Sequence, residues 1–140
     1  MSEPFPRRDD RRRIVALPDL AGLFAAGVVA GVAALVLFDG LFAVAGLGEF
    51  GRLNGWLALI LPVMVAVEEF RAWSGWGRVL AATGAAVVGV GAGILATGLV
   101  DWPPLPGGAL GAAVAAAVYA PLWFHGVRAA SARDGERVNG

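Results

Sequence analysis

Four stretches rich in Ala, Val, Leu and Gly, each about twenty residues long, run through this 140-residue chain with few interrupting charges. A helix rises about 1.5 Å per residue, so roughly 20 apolar residues bridge the ~30 Å hydrocarbon core of a bilayer. The stretches cover residues 19–38, 54–73, 76–100 and 107–127. None alternates with period 2, and in lipid a backbone has to satisfy its own hydrogen bonds, so the pattern predicts helices rather than barrel strands. Pro18 and Asp19 suit the start of the first. The chain is 58% hydrophobic with a mean hydropathy of +0.70, above the ~45–50% apolar content of ordinary soluble domains. The expected fold class is all-α, an integral four-helix membrane bundle. An Arg-rich tail over residues 1–18 precedes the transmembrane domain, 19–128, and a polar tail over 129–140 follows it.

Charge sets the expected orientation. With the N-terminus inside, ten of the eleven arginines fall on the inner side and only Arg52 outside, the bias that retains positively charged loops in the cytoplasm. Trp56 and Trp102 then stand at outer ends, and Trp73, Trp76 and Trp123 at inner ends, where aromatic belts form. Both termini are expected to be cytoplasmic in the cell membrane. The run from Asp39 to Leu53 reads as an outer connection lying partly in the interface, with extension of the first helix as the alternative. Its "AVAG" imitates a signal-peptide cleavage site, but the apolar region before it is too long for one.

Several chemistries are excluded by missing residues. Without Cys there are no disulfides or thiolate sites, and without Lys no Schiff base or phosphate-loop lysine. His125 is the single histidine, which one chain cannot turn into a three-His zinc site or a bis-His haem. No cofactor and no metal are expected, and no nucleic acid, because the basic tail lacks interleaved aromatics. Arg7, Arg8, Arg11, Arg12 and Arg13 read as a topology signal in a disordered tail and as contacts for lipid headgroups, each worth about 1 kcal/mol near an anionic surface.

Small residues recur at helical spacing. The third span carries Ala81, Ala85, Gly89, Gly93 and Thr97 four apart, the fourth Gly108, Ala112, Ala116 and Ala120, and the first Gly27 and Gly31. Such ridges let helix backbones approach closely where lipid removes the hydrophobic force between helices. They suit packing within the bundle, contact with a second copy, or docking of another membrane protein.

The polar groups inside the spans are few. "VMVAVEEFRAW" places Glu68 about 9 Å inside the end of the second span, with Glu69 next to it. Arg71 stands at i+3 from Glu68, the spacing of a helix-surface ion pair, which leaves Glu69 to water or Arg78. In the alternative, one carboxylate faces the interior as a proton or cation site, with His125 at similar depth. Asp39 and Asp101 read as outer-edge charges, "DWPPLPGG" as a stiff outer turn, and Pro62 and Pro121 as helix kinks. Three functions remain. The first is a non-catalytic accessory, assembly or regulatory subunit working through helix packing. The second is a small homo-oligomeric transporter or ion conductor using Glu68 or Glu69. The third is an intramembrane enzyme built on Glu68, Glu69 and His125.

Overall fold

The computed structural model describes residues 5–139, with side chains through residue 133. The ends of both expected tails, including the side chain of Arg137, lie outside the described residues. Among those residues there are four helices and no strand: α1 Leu17–Val44, α2 Ile60–Ala72, α3 Trp76–Gly98 and α4 Pro104–Asn139, with a 3-10 turn at Gly55–Leu59. Three stretches are long and apolar enough to cross a membrane: Leu17–Val44, Trp76–Gly98 and Pro104–Arg133.

Several boundaries differ from the sequence reading, three of them for a local reason. The first helix does not stop at Phe38 but runs to Val44, through the first part of the expected connection. It ends where Gly46 turns to φ +75°. The Gly46 N–H then donates to Ala43 and the Leu47 N–H to Phe42, a Schellman closure that glycine adopts without strain. The second stretch is not one continuous helix. Pro62 has no N–H to offer Ala58, so the α-ladder starts late and the chain before it winds as 3-10, with the Asn54 side chain accepting from the Trp56 N–H at 3.0 Å. The fourth helix begins inside the expected outer turn, because Pro104 and Pro106 occupy its first turn, where a missing N–H costs nothing. It then continues through the polar stretch to Asn139.

The largest departure is at the N-terminus. Residues 7–15 are not a disordered tail but a closed strap. Arg8 and Ile14 form an antiparallel bridge, the Val15 N–H donates to Arg7, and the Asp9 N–H to Arg13. The Asp9 carboxylate accepts from the N–H groups of Arg11 and Arg13, each at 2.9 Å. Arg7 ties the strap to the first turn of α1 through Asp19, at 3.1 Å.

The helices pack unevenly. α3 and α4 lie closest, with α1 against α4, α2 and the 3-10 turn. A Cβ added at Gly93 would stand 2.5 Å from the Gly111 carbonyl oxygen, and one at Gly89 2.9 Å from that of Ala115, so the backbones touch where the small residues are. Ala85 is buried on that face, and Ala81 and Thr97 are half-buried. On α4, Gly108, Ala112, Ala116 and Ala120 are all buried. Gly27 presses on Pro62 and Gly31 on Ala58. A core of Ile14, Leu20, Phe24, Trp73, Trp123 and Val127 closes the arginine-rich end.

Candidate functional site

Pro62 and Glu69 are the buried positions of α2. Seven residues separate them, two turns of helix, so both point inward. Glu68 is rotated by about 100° and is exposed. Arg71 is exposed as well, and the two make no ion pair. The expected Glu68–Arg71 pairing with a water-facing Glu69 is therefore reversed: Glu69 is the inner acid, with no solvent exposure.

What receives it is the strap. Glu69 Oε1 accepts the Ile14 N–H at 2.9 Å, and the Arg8 guanidinium lies 3.8 Å from the same oxygen. The Ile14 carbonyl accepts from Arg128 of α4, so both peptide groups of this buried residue are held by charged side chains from different helices. Arg128 also donates to the Phe124 carbonyl at 2.9 Å and lies 3.6 Å over that ring, while Arg13 covers Trp73 at 4.4 Å. These contacts are cation–π pairs between half-buried guanidinium groups and rings. The Trp123 indole stands beside Glu69. Yet Glu69 Oε2 and Trp123 Nε1 are both buried without a hydrogen bond of ordinary geometry.

His125 does not join this group. It lies two residues, about 200° of helix, from the inward-facing Trp123. It is exposed, with its ring edge-on to Phe124 at 5.3 Å. Among the described residues, no three His, Asp or Glu side chains gather as a metal site. Of the five tail arginines all but the half-buried Arg13 are exposed, and three reach a carboxylate: Arg7 that of Asp19, Arg8 that of Glu69 and Arg13 that of Asp9. Arg78, expected as a partner for Glu69, instead donates to the Phe70 and Trp73 carbonyls at 3.0 and 2.9 Å, closing the end of α2. At the opposite end Asp39 is no edge charge but buried, accepting the Gly51 N–H and tying the connection to α1.

Sequence reasoning missed Ile14, Trp123 and Arg128 as partners of the acid. Ile14 lies 55 residues from Glu69, and a backbone N–H leaves no mark in a sequence. Arg8 and Arg128 were visible only as charges.

A second feature lies beside this site. α2 and α3 are not closely packed, and a cavity of about 350 Å³ opens between them, floored by Phe24, Gly89, Ala116 and Tyr119. Tyr119 stacks on Trp123 at 6.3 Å and contributes the one polar side-chain tip of the lining.

The chain matches no protein-family model, no curated protein and no solved structure. Its class rests on the fold: among the described residues it is all-helical, with three helices long and apolar enough to span a bilayer.

Proposed function

We propose that this chain is a multi-pass protein of the cell membrane, crossing four times with both ends cytoplasmic. In this reading it acts as a non-catalytic accessory, assembly or regulatory subunit through helix packing. The observation that carries the reading is the outer surface. Large apolar side chains stand exposed along whole helices, among them Val29, Leu37 and Phe38 on α1 and Val87, Ile94 and Leu95 on α3. Faces of that extent suit lipid or the helices of another protein. The fourth crossing is supported by length. Five residues of 3-10 turn rise about 10 Å and the thirteen of α2 about 20 Å, together near the ~30 Å of hydrocarbon. Gentle extraction of the tagged chain, followed by cross-linking and identification of what co-purifies, tests the role. A stoichiometric membrane-protein partner or second copy, lost in Ile94→Asn, is the expected result. A chain that stays monomeric in the native membrane overturns it.

One observation favours a second reading, proton or cation conduction: Glu69 is a fully buried acid on the inner face of α2. Intramembrane acids of this kind commonly serve ion pathways. Flux across vesicles containing the purified chain, abolished in Glu69→Gln, would establish it, and flux unchanged by that substitution would end it.

A further inference from the structure

The fissure between α2 and α3 has two lips and a charged end. On α2, Val63, Val67 and Arg71 follow one another four apart; on α3, Val90, Ala86, Ala82 and Arg78 do the same. Residues four apart lie on one face of a helix, so each lip ends in an arginine at the same end of the bundle. We propose that this fissure binds one anionic glycerophospholipid, with an acyl chain between the lips and the phosphate at Arg71 and Arg78.

Three observations fit that occupant. The first is charge. Arg78 lies 4.3 Å over the ring of Phe70, which lines the fissure, and neither Arg71 nor Arg78 makes an ion pair among the described residues. Glu68, three residues before Arg71 and so one helical turn away, is exposed and pairs with neither. Two cations without a carboxylate partner among the described residues therefore lie at that end of the lips, Arg78 resting also on the Phe70 and Trp73 carbonyls. The second is length. The lining runs from Leu59, at the end of the 3-10 turn, along α2 to Phe70, about 16 Å in all, close to one leaflet of the ~30 Å hydrocarbon core. The third is the lining. The lining is apolar except for Tyr119, and Val63, Val67, Ala86 and Val90 are exposed at the rim, so the fissure opens sideways, where a chain from the surrounding leaflet enters.

The test uses the full chain in phosphatidylcholine vesicles doped with phosphatidylglycerol that carries a photoactivatable acyl chain, with adducts mapped after irradiation. Adducts should concentrate on Val63, Val67, Ala86 and Val90, well above the outward α1 residues Val29 and Val36. The same label on phosphatidylcholine should mark the fissure less, by roughly fivefold for each arginine engaged. The headgroup preference should disappear in an Arg71→Gln, Arg78→Gln variant, and Ala86→Trp, filling an exposed lip position, should clear adducts from α2 while those on α1 persist. Should Arg78→Gln lose its helical circular dichroism, Arg71→Gln alone is read for a partial loss of preference. Labelling spread in proportion to exposed apolar area, equal labelling by both headgroups, or fissure adducts unchanged in folded Ala86→Trp would each overturn the proposal.

Discussion

The Ile14 N–H is buried, and Glu69 Oε1 is the acceptor that satisfies it. A buried donor stripped of its acceptor costs about 1–3 kcal/mol, whereas exchanging one acceptor for another costs less. Glu69→Ala should therefore lower the thermal stability of the reconstituted protein and open Arg11–Arg13 to trypsin. Glu69→Gln, which keeps an oxygen at that place, should do so less. Equal cleavage of the two variants would remove Glu69 from the role of strap anchor. Asp9 works within the strap itself. The Arg13 N–H, then that of Arg11, holds its carboxyl below the ordinary value near 3.8. Because the folded value is depressed, its contribution is present above that pH and is lost as pH falls through the lower, folded value. The amide signals of Arg11 and Arg13 should thus stay constant down to about pH 4 and move only under stronger acid; movement in step with an unperturbed aspartate would contradict the two hydrogen bonds.

At the scale of helices, the α3–α4 contact depends on absent side chains. A Cβ at Gly93 would meet the Gly111 carbonyl oxygen at 2.5 Å and the Trp56 ring at 2.6 Å, and the carbonyl cannot retreat without moving α4. Gly93→Ala should cost about 1–3 kcal/mol of overpacking. Gly91, two residues earlier, has open space around its Cβ position. There Ala should be neutral or stabilise by up to about 1 kcal/mol through helix propensity. Denaturation of both variants in one detergent reads the difference, and equal stabilities would mean that the helices are less tightly apposed. The small-residue spacing was legible in the sequence. Which glycine tolerates a methyl group was not, because Gly91 and Gly93 differ only in which way they face.

For the molecule as a whole, the absence of native cysteine makes the second crossing directly measurable. Single cysteines at Ser74, in the turn between α2 and α3, and at Leu47, after α1, both occupy exposed sites. If the 3-10 turn and α2 cross together, a membrane-impermeant maleimide should reach Leu47→Cys from outside intact cells and Ser74→Cys only after permeabilisation. Labelling of both from one side would leave three crossings. Glu69 bears on this question too. A continuous apolar surface would suffice to keep α2 in lipid, but a buried carboxylate also needs donors, and the strap brings them from a segment that precedes every helix.

Chain composition by itself determined that this protein is helical and built around membrane-length apolar rods, because hydrocarbon thickness and backbone hydrogen bonding act on each segment independently. It also located the two carboxylates and the arginines at one end. Only tertiary packing chose Glu69 over Glu68, turned residues 7–15 from a loose tail into a clasp, and left α2 and α3 apart. Those outcomes depend on helix phase and on contacts between residues far apart in the chain, such as Ile14 with Glu69 and Arg128, which no local pattern encodes.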